Sequence, residues 1–368
     1  MQRVLVTVAV IALVLAALVV GALAAHWPFW QRAWQWQVAA DGWPAQLPGP
    51  SVALQPSASP LPLHLRSDAR LASRATSDSA DIVMVADVDG RVSGWFAPGN
   101  DQHTVVDGRG LTSGLLAPLY GSLVMERGAA VLDAPVQEWL GEWKSDERGA
   151  ITARQLFWQL SGLAAGKFVP LNPASRRAQL ASGPDFYRAA RHAPLTWPPG
   201  SHFEPAPANA QLLALLASRM DRSSYADALQ RRLWTKFAGQ PAFGLLDHPR
   251  GNLSAHCCFR AAAEDWLRLG LLLAGNGKVG AGRILAPGYV AQMSAASPVH
   301  PGYGLGYHVI ARPGQEPHLM LETTGRRLDI APHTGRAVLW VGRGAPPDWL
   351  ESLLSPSQFP LDDIGIAE

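Results

Sequence analysis

Residues 81–96, DIVMVADVDGRVSGWF, contain two apolar runs separated by a short polar stretch, and they decide the fold class. Residues 82–86 are all apolar, and residues 91–96 contain Val, Trp and Phe. Asp87 to Gly90, between the two runs, is typical of a tight turn because glycine accepts the backbone conformation that such turns require. The stretch therefore predicts a β-hairpin.

Helical periodicity follows this hairpin. Apolar residues between Leu115 and Val124 recur at helical spacing, and Gly128 stands where a helix would end. Further helices are predicted over residues 151–160, 209–220 and 261–273. Strand-like segments return at residues 303–310, 328–331 and 337–341. Strands at both ends of the chain predict an α+β fold, in which one antiparallel sheet is flanked by helices and a helical region is inserted in the middle.

The composition is that of a globular protein with a large core. The chain has 368 residues, of which 48% are hydrophobic and 16% are charged, and its formal net charge is +2. So small a net charge, without basic clusters, argues against nucleic acid as a partner. No metal-binding pattern of the HExxH or CxxC type occurs, and we expect neither a metal nor a cofactor.

The N-terminus contains an uncharged run from Val4 to Ala25. About 20 apolar residues suffice to span a bilayer as a helix, so residues 4–25 are predicted to anchor the protein in the cytoplasmic membrane. Ala22 to Ala24 resembles a cleavage site, so a cleaved signal peptide is the alternative. Aromatic residues follow the run, and they are typical either of a membrane-interface belt or of packing on the folded domain. They are Trp27, Phe29, Trp30, Trp34 and Trp36.

Eight segments in collinear order resemble the serine β-lactamase and penicillin-binding protein superfamily, in its class C and esterase-like branch. The segments are LVMERG (123–128), LDAPVQEWL (132–140), ITARQLFWQLSGL (151–163), PPGSHF (198–203), AEDWLRLG (263–270), RIL (283–285), YGLG (303–306) and LDIAP (328–332). The resemblance implies a β-lactamase/transpeptidase-like fold.

The apolar run, the Pro- and Ser-rich stretch and the resemblance together predict a division of the chain into four parts. Residues 1–26 would be the membrane anchor or signal segment. Residues 27–79 would be an aromatic juxtamembrane stretch and a Pro/Ser-rich linker. Residues 80–345 would be the β-lactamase-related domain, followed by a C-terminal tail over residues 346–368. The domain would then lie in the periplasm of an inner-membrane, single-pass protein.

The catalytic positions that the resemblance implies are not filled. The superfamily uses a serine at a helix start and a lysine three residues on, where the amine lies beside the hydroxyl. Counting back from Gly128 places Gly110 at the nucleophile position and Ser113 at the lysine position. Pro205 stands where the superfamily has a catalytic tyrosine. The third motif, K-T-G or H-x-G, is absent from residues 320–326, which include Glu322.

Pro118 is a further departure from the superfamily pattern. It falls inside the helix that should carry the nucleophile. Proline lacks a backbone N–H, so we expect a disturbed or kinked helix at this point.

These losses predict a catalytically inactive protein. Removing the nucleophile of a catalytic triad alone lowers kcat by about 10⁶. The prediction is therefore a membrane-anchored periplasmic serine hydrolase-like protein that acts by binding or scaffolding. A cell-wall or acyl ligand in the vestigial cleft is the expected partner besides the membrane.

Two alternatives stay open. In the first, an active serine hydrolase with a rearranged site uses Ser113 as its nucleophile; His202, Glu204, Asp107 and Arg326 are its candidate neighbours. In the second, His256, Cys257 and Cys258 bind a metal, although three consecutive residues wrap a tetrahedral ion poorly. Adjacent cysteines rarely bond to each other, so no disulfide is expected.

Overall fold

The structure, a computed structural model, describes residues 2–25, 27–40 and 42–361, and its helices and strands form the predicted α+β fold. The α-helices are α1 (Gln2–Ala25), α2 (Trp27–Val38), α3 (Ala69–Ser77), α4 (Leu116–Arg127), α5 (Ala153–Phe157), α6 (Arg176–Ser182), α7 (Phe186–Arg191), α8 (Pro207–Asp221), α9 (Tyr225–Leu229), α10 (Thr235–Phe237), α11 (Ala263–Ala274) and α12 (Tyr289–Ser294). Short 3-10 helices include Arg109–Leu115 and Asp348–Leu354, and a π-helical turn spans Gln230–Trp234.

The strands form two main sheets and a small hairpin. They are β1 (Ser51–Leu54), β2 (His64–Ser67), β3 (Ala80–Asp87), β4 (Arg91–Phe96), β5 (Val105–Asp107), β6 (Ala242–Leu245), β7 (Phe259–Ala262), β8 (Lys278–Val279), β9 (Gly282–Arg283), β10 (His308–Ile310), β11 (His318–Thr323), β12 (Arg326–Ala331) and β13 (Arg336–Gly342). The larger sheet has the order β10-β11-β12-β13-β3-β4-β2, and the smaller one the order β1-β6-β7-β5.

The larger sheet joins the two ends of the chain, as predicted. β13 pairs with β3 in antiparallel register, so the C-terminal strands continue the N-terminal hairpin. The described pairs of this sheet are antiparallel except for β2, which runs parallel to β4. The helices from α4 to α10 are inserted between the two strand sets, which is the predicted arrangement.

The faces of this sheet are covered by different elements. Successive side chains of a strand point to opposite faces. Ile82 and Met84 accordingly pack in the main core with α4 and α11, whereas Val83 and Val85 pack in a second core with α3 and the 3-10 helix Asp348–Leu354. Each face is thus removed from water, which is what a stable layered domain requires.

Several predicted elements are confirmed. The 81–96 stretch is the β3–β4 hairpin, and Gly90 in its turn has φ +84°. A Cβ on Gly90 would lie 2.6 Å from the Pro62 carbonyl oxygen, so the turn accepts only glycine without rearrangement. α4 ends at Gly128, as its spacing predicts. The helix predicted over residues 151–160 is shorter, because Gln159 adopts a left-handed backbone (φ +58°) just after α5.

The predicted linker and tail differ from the structure. Residues 51–79 contribute β1, β2 and α3, and β1 pairs with β6 while β2 pairs with β4. Residues 348–354 form a 3-10 helix whose leucines are buried in the second core. α3 and this 3-10 helix cover the outer face of the larger sheet, which would otherwise be exposed. Residues 362–368 of the predicted tail lie outside the described residues.

The predicted membrane span falls within α1. Within it, the side chains of residues 4–6, 8, 9, 19, 22, 23 and 25 lie outside the description. In the part of the chain that the structure describes, no helix is both long and apolar enough to cross a membrane.

Some of the aromatic residues after α1 pack on the folded domain, as one of the two predicted roles requires, and others are exposed. Phe29 and Trp36 of α2 are buried and pack against the domain. Arg32, also buried, donates from Nη1 to the carbonyl oxygen of Asp247 at 2.6 Å. Trp27 and Trp34 are more than half exposed. α2 is therefore docked on the domain along one face and leaves two tryptophans on the other.

The kink expected at Pro118 is not required by its position. Pro118 is the third residue of α4, which begins at Leu116. Proline is tolerated in the first turn of an α-helix, and the Gly114 carbonyl, four residues before Pro118, accepts from the Tyr307 hydroxyl. The preceding 3-10 helix brings the chain into α4.

Candidate functional site

A sharp turn connects β5 to the 3-10 helix Arg109–Leu115, and the aligned nucleophile position lies in it. We call this turn, residues 108–110, the elbow. Arg109 has φ +48°, a left-handed conformation that is uncommon for a residue with a side chain. Such backbone strain clusters at functional sites and persists only where the surroundings hold it. The left-handed backbone at Arg109 therefore marks the elbow as a candidate functional site.

Hydrogen bonds hold the elbow on both sides. Gly108 N–H donates to the Phe259 carbonyl of β7 at 2.8 Å, and Arg109 N–H donates to Asp107 Oδ1 at 2.9 Å. The Arg109 guanidinium donates from Nη1 to the carbonyl oxygen of Thr324 at 2.9 Å, next to the end of β11. The elbow is thereby fixed to both sheets.

Gly110 is the aligned nucleophile position, and Thr323 faces it. A Cβ on Gly110 would lie 3.1 Å from the Thr323 Cβ and 3.3 Å from its Oγ1. Contacts of 3.1 Å are tighter than ordinary van der Waals packing. Thr323 therefore fills space that the side chain of a serine at position 110 would need.

The side chain of Ser113, the aligned lysine position, bonds to the backbone of its own helix. Its Oγ donates to the Gly110 carbonyl at 3.0 Å, a bond across one helical turn. The next residue, Gly114, is packed even more closely, since a Cβ there would lie 2.2 Å from Leu321 Cδ1. Tyr307 donates its phenolic hydroxyl to the Gly114 carbonyl at 2.8 Å. The hydroxyl of Ser113 is thus committed to the backbone.

Glu322 does not join this site. Strand residues alternate between faces, so Glu322 and Thr323 point to opposite sides of β11. Arg327 lies on the side of Glu322, with its Nη1 3.6 Å from Glu322 Oε2. The site residue on β11 is therefore Thr323, which the sequence analysis missed because the absent third motif left the phase of the strand undetermined.

Pro205 lies in an exposed loop before α8. The neighbouring Glu204 binds the Ala165 N–H through Oε1 at 2.9 Å and the Trp197 indole N–H through Oε2 at 3.1 Å. Ala206 N–H donates to Gln159 Oε1 at 3.1 Å. The loop is thus held by backbone and amide contacts and offers no phenol at the aligned tyrosine position.

A phenol does lie near this loop, at Tyr303, whose ring centroid is 5.4 Å from that of Phe203. Burial raises the pKa of the Tyr303 phenol to about 12, and a hydrogen bond with Gln159 opposes that shift only in part. A phenol with this pKa stays protonated at neutral pH.

The candidate neighbours of Ser113 are dispersed or occupied. His202 is exposed and stacks on Trp197, with ring centroids 4.4 Å apart, on the side of Glu204. Asp107 and Arg326 do lie at the elbow, where Arg326 Nε donates to the Asp107 carbonyl at 3.2 Å. The Asp107 carboxylate already accepts from Arg109 and from Arg260. A base aimed at Ser113 is not among the described contacts.

The expectation that Cys257 and Cys258 stay unbonded is wrong. The structure joins their Sγ atoms in a disulfide, and both residues are buried. Cys258 adopts a left-handed backbone with φ +70°. While oxidised, neither sulfur is a thiolate ligand, so the metal alternative at His256 to Cys258 loses two of its three donors.

The comparisons with known proteins agree with this fold. The sequence model of the Beta-lactamase family matches residues 121–346. The match begins after the elbow, so it does not include Gly110 or Ser113. No curated protein matches the chain significantly.

Solved structures resemble the chain over most of its length. A candidate 6-aminohexanoate-dimer hydrolase from Bacillus anthracis is 17% identical, with a TM-score of 0.67 over 89% of this chain and 92% of that one. A penicillin-binding protein from Bacillus halodurans is 15% identical, with a TM-score of 0.55 over 76% and 97%. A class C β-lactamase from Rhodobacter sphaeroides is 16% identical, with a TM-score of 0.54 over 81% and 99%. At these identities the likeness establishes the fold. The family match extends over more than half of the residues, and the chain therefore belongs to the Beta-lactamase family.

Proposed function

We propose that this family member is catalytically silent in serine chemistry and acts by binding or scaffolding. The observation that carries the proposal is the elbow: its strained backbone is kept at Arg109, but the next residue is glycine and Thr323 packs against it. A covalent mechanism needs an activated nucleophile within hydrogen-bond reach of a base. Gly110 has no side chain to supply one.

The remaining catalytic roles are also vacant in this proposal. Ser113 replaces the amine that would activate the hydroxyl, and its Oγ is bonded to a backbone carbonyl. Pro205 replaces the phenol. Loss of a nucleophile alone lowers kcat by about 10⁶, and what is left over the uncatalysed rate comes from binding and oxyanion stabilisation. Binding is therefore the activity that this arrangement can retain.

The ligand that we propose is a cell-wall fragment or another acyl compound, held without reaction. The Gly108 and Arg109 N–H groups of the elbow are already bonded, so the donor that we propose for a ligand carbonyl is the Gly110 N–H, a group of the kind that stabilises oxyanions. Such donors bind a carbonyl whether or not a nucleophile is present. We further propose that the domain faces the periplasm and that residues 4–25 anchor it, because this run carries no charged side chain.

Hydrolysis assays test the proposal. Purified protein should not turn over nitrocefin or short p-nitrophenyl esters above a buffer control. The double variant Gly110→Ser with Ser113→Lys should gain little activity, because Thr323 crowds the new serine and Pro205 supplies no phenol. Turnover by the wild type that Ser113→Ala abolishes would instead support the alternative, an active hydrolase with Ser113 as its nucleophile.

A further inference from the structure

We propose that the Cys257–Cys258 disulfide is a reversible redox site that, when oxidised, holds residues 43–47 across the elbow. We call residues 43–47 the strap. The redox step is independent of the proposed function, because it concerns the position of the strap and not the ligand beneath it. Three sets of contacts connect the disulfide, the elbow and the strap.

The disulfide lies in a small apolar cluster of its own. Its core is formed with Trp36 of α2 and Leu245 of β6, and Trp43 and Leu47 of the strap pack against that cluster. Trp36 and Trp43 also contact each other, with ring centroids 5.3 Å apart. The strap therefore packs against the cluster that contains the two cysteines.

The disulfide is also connected to the elbow through the next residue of the chain. Phe259 follows Cys258 directly and begins β7. Its carbonyl accepts from Gly108 N–H at 2.8 Å, and its N–H donates to Thr112 Oγ1 at 3.3 Å. A change in the backbone conformation of Cys258 would thus move Phe259 and disturb its hydrogen bonds to Gly108 and Thr112, which lie on either side of Gly110 in the chain.

The strap itself contacts elbow residues. The Arg109 guanidinium lies over the Trp43 ring, 5.5 Å from its centroid, which is a cation–π distance. Arg260 Nη2 donates to the Ala45 carbonyl at 2.8 Å, and Arg260 Nε lies 3.3 Å from Asp107 Oδ2. The strap therefore contacts the elbow at Arg109, and Arg260 joins the strap to Asp107, the residue just before the elbow.

The redox step is a thiol–disulfide exchange with a dithiol reductant. The Cys257–Cys258 S–S bond breaks, two S–H bonds form, and the reductant is oxidised to its own disulfide, with two electrons and two protons transferred. Once the bond is broken, Cys258 no longer has to keep a left-handed backbone, which is unfavourable for a residue with a Cβ. We expect the end of β7 to relax and the strap to leave the elbow.

Hydrogen exchange measured by mass spectrometry on the full-length protein in detergent tests this coupling. Protein purified without reductant should contain no titratable thiol. Addition of dithiothreitol should release two thiols per chain and speed exchange at least tenfold in peptides covering residues 36–50 and 105–115. Peptides from α11 serve as the internal reference and should not change.

A serine variant is the matched control. The chain has only two cysteines, so reductant should have no effect on Cys257→Ser with Cys258→Ser. That variant should exchange like the reduced wild type, and its melting curve checks that it folds. Free thiols in protein kept under oxidising conditions would overturn the proposal. So would unchanged exchange in both peptides after complete reduction of the wild type.

Discussion

Thr323 of β11 packs against Gly110 of the elbow, so that a Cβ added to Gly110 would lie 3.1 Å from the Thr323 Cβ. In the superfamily pattern, the residue at this position carries the reactive hydroxyl. Here the backbone at Arg109 still turns sharply, while the space beside it is filled by the neighbouring strand. Gly110 thus offers no side chain at the elbow, and Thr323 fills the space beside it.

Substitution of Gly110 by alanine should destabilise the domain. The added Cβ would press on the Thr323 Cβ, and overpacking of this kind costs about 1 to 3 kcal/mol. Gly141→Ala is the matched control, because nothing lies within 4 Å of a Cβ there. Chemical denaturation should show a lower free energy of unfolding for Gly110→Ala. For Gly141→Ala, the free energy of unfolding should change by no more than about 0.5 kcal/mol. Equal stability of the two variants would show that Thr323 does not crowd the elbow.

Truncation of Trp266 should weaken the core that supports the elbow. Trp266 of α11 is fully buried, and its Nε1 donates to the Val106 carbonyl of β5 at 3.3 Å. Trp→Ala changes in cores cost about 3 to 5 kcal/mol. Trp34→Ala removes a tryptophan that is 57% exposed and should change the unfolding free energy by less than about 0.5 kcal/mol. A Trp266→Ala protein that melts like the wild type would contradict the packing described here.

The unfolding free energy should fall as the pH drops below about 6.5. Burial, reinforced by Arg177, lowers the pKa of His256 to about 4. The unfolded chain then binds a proton near pH 6.5, whereas the folded chain does so only near pH 4. The contribution of neutral His256 to the unfolding free energy is therefore fully present above pH 6.5. It is lost progressively as the pH falls from the unfolded-state pKa to the folded-state pKa, by about 2 to 3 kcal/mol.

Denaturation at pH 7 and pH 5 measures this effect of His256. In His256→Gln, the unfolding free energy should decrease less between pH 7 and pH 5 than it does in the wild type. His202→Gln, which removes an exposed histidine, should leave the wild-type decrease unchanged. If the unfolding free energy of His256→Gln depended on pH as steeply as that of the wild type, other groups would be responsible for the pH dependence.

Cell fractionation tests the membrane anchor, which stays a prediction. The uncharged run at residues 4–25 should keep the full-length protein in the inner-membrane fraction, with the domain accessible to protease from the periplasm. A variant lacking residues 2–26 should lose this association. Recovery of a soluble protein that begins near Ala25 would show that the segment is a cleaved signal peptide.

The sequence predicts elements whose partners are close along the chain. The β3–β4 hairpin and the end of α4 at Gly128 follow from local turn and periodicity signals. β1 and β2 were missed because each has four residues and pairs with a strand it does not follow directly; Ser51, for example, pairs with Leu245. Short strands of this kind are specified by tertiary packing more than by local sequence.

The site was predicted less completely than the fold. Gly110 and Ser113 follow from the motif alignment, and the structure brings them together through the Ser113–Gly110 hydrogen bond. Glu322, which the sequence analysis named at the absent third motif, is adjacent to Thr323, and a shift of one residue along a strand reverses the direction of the side chain. The left-handed backbone of Arg109 has no sequence signal, since arginine rarely adopts it.

The covalent state of the protein after treatment with activity probes tests the central claim most directly. Full-length protein would be incubated with a fluorescent penicillin and with a fluorophosphonate, and its intact mass would be measured. Because Gly110 has no hydroxyl and the Ser113 hydroxyl is bonded to a backbone carbonyl, we predict an unchanged mass with both probes. A single adduct on the wild type that is lost in Ser113→Ala would contradict the account and identify Ser113 as a working nucleophile.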